Sequence, residues 1–322
     1  MIYTNVDQAF AAALVAFVVA LVSAPLVYRA LVRTQVRQKV SEHVPEHAAK
    51  QGTPTMGGII VLLGLLASFA FVPTGRVAAP MVLLIGFALI GLFDDFVVPR
   101  RSEKSRGLGW KSKIAMQLVV VLGAFLIGGV RDWGALAFMA FVVLFFANAY
   151  NFVDGMDALA GGIGVMLAVG FAIVARFSIA NPETELAVLV VMAGIAASLV
   201  PFLYYNAPPA RVFMGDVGSL SLGALFGWAF LEVGRPSELV PGSVNLVAAI
   251  VISLVLVCEL VPVPLQILSV KLRKGKRLFP RTPIHHAFQH AGWPETRVVW
   301  LFHLVQAALV AVAVGALWRV AG

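Results

Sequence analysis

Long apolar runs alternate with short polar segments along the chain, and this pattern predicts an all-α fold that crosses a membrane. Each run is close to the roughly 17–25 residues that a helix needs to span the hydrocarbon core. The runs are solidly apolar and lack the two-residue alternation of a transmembrane β-barrel. About ten transmembrane helices are predicted, at residues 9–32, 56–72, 79–97, 111–129, 134–150, 158–177, 186–205, 217–234, 243–268 and 297–318. Because the connections are short, we predict a single integral membrane domain over residues 1–322.

The ninth predicted helix contains Glu259, Pro262 and Pro264. Proline removes backbone hydrogen bonds and kinks a helix, so this helix is predicted to be kinked or broken. Two interpretations stay open: a bent helix beside a groove for a lipid substrate, or an ordinary proline kink with Glu259 at the membrane interface.

Composition agrees with a membrane protein, since 60% of the residues are hydrophobic and 12% are charged. A soluble domain carries about a quarter charged residues. The single cysteine, Cys258, excludes an intrachain disulfide and a cysteine-based zinc site.

Most of the 24 Lys and Arg residues follow the first, third, seventh and ninth predicted helices, and therefore lie on one side of the membrane. Cytoplasmic loops are enriched in Lys and Arg, so this side is predicted to be cytoplasmic and both termini external. The net charge of +8 is spread between apolar runs, where it suits anionic lipid headgroups. It forms no continuous basic stripe, so nucleic acid is not a predicted partner.

The predicted cytoplasmic side also carries the acidic motifs. Asp94 and Asp95 end the third helix, where the helix dipole disfavours negative charge and where carboxylates are costly unless paired, solvated or metal-bound. Asp216 begins the eighth helix, between Phe213 and Ser219, and is either an N-terminal helix cap or a metal ligand. Mg²⁺ prefers oxygen ligands and phosphates, so these aspartates are candidate magnesium and catalytic residues.

Other polar motifs share that side. Asn148, Asn151, Asp154 and Asp157 surround Gly155 between the fifth and sixth helices, either to satisfy their own loop or to bind a nucleobase, a sugar or an ion. Phe213 offers a face on which a base could stack. Four further candidates are Lys50 with Thr55 and the pair His285-His286. They suit phosphate binding and proton transfer, but alone they indicate only a helix start and surface histidines.

Together these residues predict phosphoryl transfer at a membrane surface, with a lipid phosphate as one substrate. A transporter is the main alternative from another class, because intramembrane acids mark ion paths. A non-catalytic membrane scaffold is the other, although it would not need three separate acidic motifs.

Five motifs occur in order: Gly52-Thr-Pro-Thr-Met-Gly-Gly58, Asp94-Asp95, Asn148 to Gly162, Phe213-Met-Gly-Asp-Val-Gly-Ser219, and Pro283-Ile-His-His286 with Gly292-Trp-Pro-Glu295. In this combination the chain resembles the polyprenyl-phosphate N-acetylhexosamine-1-phosphate transferase superfamily over nearly its whole length. Within it, the chain is most similar to the phospho-N-acetylmuramoyl-pentapeptide transferases, which act in the first membrane step of peptidoglycan synthesis.

The resemblance implies a Mg²⁺-dependent enzyme of the bacterial inner membrane, acting as a homodimer with its site facing the cytoplasm. Its substrates would be UDP-N-acetylmuramoyl-pentapeptide and undecaprenyl phosphate, and its products lipid I and UMP. Asp216 would hold Mg²⁺ together with Asp94 and Asp95, which would also serve catalysis; Asp94 is the candidate for deprotonating or positioning the lipid phosphate. The implied uridine-diphosphate pocket comprises Lys50, Asn151, Asp154, Gly155, Met156, Asp157 and Phe213, with Thr55, Asn206, His285 and His286 around it.

Two departures from the family pattern affect these assignments. Ala287 and Gln289 interrupt the usual run of three histidines before Phe-Glu, and the lysine usual after the paired aspartates is replaced near Val98. A sister enzyme that uses UDP-N-acetylglucosamine is the nearest alternative, and the Pro-Ile-His-His and Gly-Trp-Pro-Glu motifs favour the muramoyl-pentapeptide enzyme over it.

Overall fold

The computed structural model describes residues 2–34, 52–97, 107–240 and 243–321, and within these ranges the chain is helical with no β-strand. A 3-10 turn, Phe69–Phe71, continues α2, and a π turn, Phe93–Val97, continues α3. The helices are α1 (Ile2–Thr34), α2 (Gly58–Ser68), α3 (Ala78–Leu92), α4 (Trp110–Ile127), α5 (Trp133–Val153), α6 (Leu159–Ser178), α7 (Pro182–Asn206), α8 (Gly215–Val233), α9 (Val244–Ile252), α10 (Leu254–Leu260), α11 (Pro262–Leu272), α12 (Ile284–His290) and α13 (Glu295–Ala321).

The described part of the chain has nine helices that are long and apolar enough to cross a membrane. The remaining predicted span, at residues 56–72, is the shorter apolar helix Gly58–Phe71. Each predicted run is therefore a helix, and the all-α, multi-pass membrane architecture is confirmed. The short helix α12, in the segment between the last two spans, is an element that the apolar pattern did not predict.

Helix α8 forms the centre of the bundle, and nearly all of its side chains are buried. It packs against α3, α5 and α6, and its Phe226 contacts Tyr150 of α5 and Phe171 of α6. The outer helices α1, α4 and α13 instead expose large apolar side chains such as Phe10, Val119 and Trp300. Apolar exposure on the outside of the bundle is what lipid contact requires, since no water is available there to solvate polar groups.

Glycines let neighbouring helices approach α8 at its N-terminal end. A Cβ atom at Gly91 of α3 would lie 2.3 Å from the Val217 backbone nitrogen. A Cβ atom at Gly58 of α2 would lie 2.4 Å from the Gly218 Cα atom. Small residues at such contacts bring helix backbones together in membranes. These contacts therefore place the acidic end of α3 beside the start of α8.

The ninth predicted helix is broken, as expected, into α9, α10 and α11, with breaks at Ser253 and Val261. Pro262 begins α11, which accounts for the second break. At the first break, the Ser253 hydroxyl donates to the Ala249 carbonyl at 2.7 Å, and Gln306 of α13 donates to the Ile252 carbonyl at 2.9 Å. Side chains that bond to helix carbonyls in this way bend a helix.

The start of α1 and the end of α13, as far as they are described, lie at the same end of the bundle. Asn5 of α1 donates to the Pro182 carbonyl at the start of α7, at 3.1 Å. The ring of Trp318 lies 5.9 Å from that of Phe177 at the end of α6, centroid to centroid. Because α6 and α8 begin at the opposite end, the termini are remote from the acidic motifs. The predicted placement of both termini on one side is confirmed.

We predict that Gly91→Ala lowers the free energy of unfolding by about 1–3 kcal/mol, because the new methyl group forces α3 away from α8. Gly123→Ala in α4 is the matched control, since no described atom beyond its own helix turn lies within 4 Å of its Cβ position. Thermal unfolding of both variants in detergent measures the difference. Equal midpoints for the two variants would contradict the close α3–α8 contact.

Candidate active site

Three aspartates from two helices meet at the end of the bundle where α8 begins. Lys113 of α4 binds Asp94 Oδ2 through its ammonium nitrogen at 3.0 Å, and the same nitrogen contacts Asp216 Oδ2. Asp95 Oδ2 accepts a hydrogen bond from the Val217 backbone nitrogen at 3.4 Å. We call Asp94, Asp95, Asp216 and Lys113 the carboxylate cluster. The predicted convergence of the acidic motifs at one end of the membrane bundle is confirmed.

Asp216 is held in the first turn of α8 by α5. The Asn151 side-chain nitrogen donates to Asp216 Oδ1 and to the Ser219 hydroxyl oxygen, both at 2.8 Å. The Ser219 hydroxyl in turn donates to the Gly215 carbonyl at 3.0 Å. The N-cap position of α8 is Met214, so Asp216 is not the cap residue and its carboxylate is directed at Lys113 and Asn151.

Gly215 gives the cluster a close approach to the segment that precedes α2. Its φ angle is +73°, a left-handed conformation that favours glycine. A Cβ atom at Gly215 would lie 2.6 Å from Asp95 Oδ2 and 2.7 Å from the Thr55 hydroxyl oxygen. The backbone of Phe213 is bonded to the same segment. Its nitrogen donates to the Pro54 carbonyl at 2.9 Å, and its carbonyl accepts from the Gly57 nitrogen at 2.7 Å. Thr55 and Phe213 therefore border the carboxylate cluster.

The loop after α5 connects this cluster to the connection between α7 and α8. Asp154 Oδ2 accepts from the Gly215 nitrogen at 3.1 Å, and Asp157 Oδ2 accepts from the Ala210 nitrogen at 2.9 Å. The Asp157 nitrogen donates to Glu295 Oε1 of α13 at 2.8 Å. Residues 154–158 are not helical, so these two aspartates do not share a helix face. Met156, between them, is buried.

Asn206, at the end of α7, joins two loops from inside the protein. Its Oδ1 atom accepts from the Ala158 nitrogen at 3.0 Å, and its Nδ2 atom donates to the Val212 carbonyl at 2.9 Å. Ala158 has a φ angle of +63°, which a non-glycine residue adopts only where surrounding contacts hold it. Asn206 therefore bonds the backbone of the loop after α5 and that of the connection between α7 and α8.

His285 lies beside the same loop and is fully buried with Glu259. Its Nδ1 atom is 2.8 Å from Glu259 Oε2. A Cβ atom at Gly155 would lie 2.6 Å from His285 Nε2. The neighbouring His286 contacts Gln289, with 2.9 Å between Nδ1 and Oε1, so one of the residues that departs from the family pattern is bonded to a candidate site residue.

The donor chemistry of the cluster fits Mg²⁺. Three carboxylates face one ammonium group, so the cluster itself retains surplus negative charge. Within the described ranges, no three acidic, histidine or cysteine side chains are arranged to hold a metal ion, and the Lys113 ammonium lies between two of the carboxylates. Mg²⁺ is often bound through only one or two carboxylates, with water and substrate phosphates as its other ligands.

Sequence reasoning identified most of these residues but missed Lys113, Glu259 as a partner of His285, and Ser219. In the sequence pattern, Lys113 indicates only the orientation of the chain in the membrane, as one of the basic residues after the third predicted helix. A lysine inside the first turn of a spanning helix usually has a polar partner, and this was the available signal. Lys50 lies outside the described residues, as does Val98.

Comparison with known proteins identifies the family. Residues 77–234 match glycosyl transferase family 4, and residues 50–62 match signature 1 of phospho-N-acetylmuramoyl-pentapeptide-transferase. Proteins of that name from Staphylococcus aureus strains bovine RF122 / ET3-1 and MSSA476 are each 34% identical over 281 residues, which cover 80% of this chain and 82% of theirs. The chain belongs to the phospho-N-acetylmuramoyl-pentapeptide-transferase family.

The two matched regions of this family coincide with the candidate site. The signature covers Thr55 and the segment that bonds to Phe213, and the longer match covers Asp94, Lys113, Asp216 and the loop at residues 154–158. The family resemblance read from the motifs is thus confirmed by relatives that align along most of the chain.

We predict that Asn206→Ala lowers the free energy of unfolding by about 1–3 kcal/mol, because it leaves the Ala158 nitrogen and the Val212 carbonyl without their partner. Asn181→Ala is a comparison at the opposite end of the bundle, where the side chain caps α7 and its loss costs about 1 kcal/mol. Thermal unfolding in detergent compares them. A larger loss for Asn181→Ala would contradict the bridging role of Asn206.

Proposed function

We propose that this protein transfers phospho-N-acetylmuramoyl-pentapeptide from UDP-N-acetylmuramoyl-pentapeptide to undecaprenyl phosphate, giving lipid I and UMP. An oxygen of the lipid phosphate forms a bond to the sugar-linked phosphorus of the donor. The bond from that phosphorus to the bridging oxygen breaks, and the oxygen leaves with UMP. Family membership supports the reaction. The observation that carries it is the meeting of Asp94, Asp95, Asp216 and Lys113 at one end of a membrane-spanning bundle.

The carboxylate cluster would serve both substrates. Asp216, with Asp94 and Asp95, would hold Mg²⁺, which neutralises charge on a diphosphate when bound. Lys113 offers a fixed positive charge to phosphate oxygens because its ammonium group already lies between two of the carboxylates. Asp94 contacts both Lys113 and the Leu108 nitrogen, a position from which it can orient the lipid phosphate.

The surrounding residues would bind the donor nucleotide. We assign the uridine-diphosphate pocket to Asn151, the loop 154–157 and Phe213, with Thr55, Asn206, His285 and His286 at its edge and Lys50 as a further contact. The close packing of two glycines supports this assignment, since a Cβ atom at Gly215 or Gly155 would displace Asp95 or His285 from its place beside these residues.

The orientation of the site belongs to the same proposal. Arg29, Lys111 and Arg211 lie at the end of the bundle that carries the carboxylate cluster, and the basic segment from Lys271 to Arg281 lies there too. An excess of Lys and Arg is typical of cytoplasmic loops. We therefore place the site on the cytoplasmic face of a bacterial inner membrane and both termini outside, and we expect a homodimer from the family.

We predict that the purified protein in detergent with Mg²⁺ releases UMP from UDP-N-acetylmuramoyl-pentapeptide only when undecaprenyl phosphate is present. UDP-N-acetylglucosamine is the parallel donor in the same assay. Faster release from UDP-N-acetylglucosamine would support the sister reaction. No release from either donor, with or without Mg²⁺, would reject sugar-phosphate transfer.

We predict that Asp216→Ala and Asp94→Asn each lower turnover by about 100-fold or more, because the first removes a proposed Mg²⁺ ligand and the second the carboxylate proposed to orient the lipid phosphate. Asp132→Asn is the matched control, since Asp132 caps α5 at the opposite end of the bundle. Steady-state UMP release measures all three variants. Wild-type turnover in both cluster variants would exclude the proposed roles.

A further inference from the structure

Glu259 and His285 form a fully buried pair between the broken helix and the short helix α12. Glu259 lies in α10, two residues before the break at Val261. Its Oε1 atom accepts from the His285 backbone nitrogen at 3.1 Å, and its Oε2 atom is 2.8 Å from His285 Nδ1. One carboxylate therefore holds both the backbone and the ring of the same residue.

This arrangement is costly to build. A carboxylate taken out of water loses several kcal/mol of solvation free energy unless hydrogen bonds and a counter-charge compensate it. The His285 backbone nitrogen is in the first turn of α12, where helix N–H groups have no partner within the helix. Glu259 supplies that partner from another helix, and the ring directed at its second oxygen is fixed in orientation.

The other ring nitrogen is the part of the pair that no described residue satisfies. His285 Nε2 is buried and has no hydrogen-bond partner within the described ranges. It faces Gly155, where a Cβ atom would lie 2.6 Å away. A buried polar atom without a partner costs about 1–3 kcal/mol, so its retention is best explained by a partner that arrives with the substrate.

We propose that Glu259 is a positioning residue that acts through His285. By accepting a hydrogen bond from Nδ1–H, it fixes the tautomer and the orientation of the ring, and it leaves Nε2 as an acceptor for a hydroxyl group of the nucleotide donor beside Gly155. The inference rests on the proposed function, because the loop 154–157 is there assigned to the uridine-diphosphate pocket. Carboxylate partners of this kind fix histidine tautomers in other protein sites.

The alternative is that Glu259 only supports the fold. In that case its loss lowers stability and lowers turnover through misfolding, whether or not His285 is present. A positioning role has a different signature, because the effect of Glu259 on turnover disappears once the His285 ring has been removed.

A double-mutant cycle separates these two roles. Glu259→Gln keeps the side-chain volume but replaces one acceptor oxygen with an NH₂ group, which faces an N–H donor of His285. We expect Glu259→Gln to lower kcat by about 10–100-fold, the range found for supporting carboxylates of other histidine sites. We expect the double variant Glu259→Gln/His285→Ala to be no slower than His285→Ala alone.

Glu232→Gln is the matched control, because Glu232 is also a glutamate in a membrane helix but bonds Arg235 at the other end of the bundle. It should keep wild-type kcat. Thermal unfolding of every variant shows whether it is folded. If Glu259→Gln does not fold, Glu259→Asp replaces it in the same cycle, and its shorter carboxylate should keep part of the wild-type kcat.

Multiplicative losses in the double variant, or a wild-type kcat for Glu259→Gln, would overturn the positioning role. The wild-type protein measured in the same assay keeps the two proposals apart. Absence of wild-type transfer rejects the proposed function, whereas normal wild-type transfer with multiplicative losses rejects only the role of Glu259.

Discussion

The interaction on which the site depends is the shared contact of the Lys113 ammonium group with Asp94 and Asp216. Two like charges about 4 Å apart repel by roughly 4 kcal/mol at the effective dielectric constant near a protein surface. Three carboxylates from α3 and α8 would therefore force these helices apart without a positive charge between them. A single lysine from α4 reduces this repulsion while leaving surplus negative charge, which suits both the stability of the bundle and the binding of a divalent cation with a diphosphate.

Around that cluster, side chains rather than regular backbone pairing hold the loops. Asn206, Asp154 and Asp157 each accept a hydrogen bond from the backbone of a segment distant in sequence. At the end of a membrane helix, an unpaired backbone group loses water without gaining a partner, so such bonds carry a large share of local stability. The Asn and Asp residues that mark these loops as candidate binding sites therefore also stabilise the loop backbone. One sequence motif thus serves both roles.

The sequence predicted the helices well because a membrane span needs a long apolar run, and each run is a local property of the chain. It predicted the convergence of Asp94, Asp95 and Asp216 because orientation rules place their loops on one side. It could not reveal Lys113 between the aspartates or Glu259 against His285, since both contacts depend on how α4 and α10 rotate about their axes. Nor could it reveal that the chain turns at Asp154 and directs the Asp154 and Asp157 carboxylates at different backbone groups.

Helix α13, which is synthesised after the other described helices, completes two parts of the molecule that are made much earlier. Gln306 of α13 bonds the carbonyl exposed at the first break of the ninth span, and Glu295 receives the backbone nitrogen of Asp157. Protein chains are built from the N-terminus, so a ribosome-bound intermediate that lacks α13 has neither bond. During biogenesis, the loop at residues 154–158 thus reaches its final set of contacts only after α13 has inserted into the bilayer and docked against its neighbours.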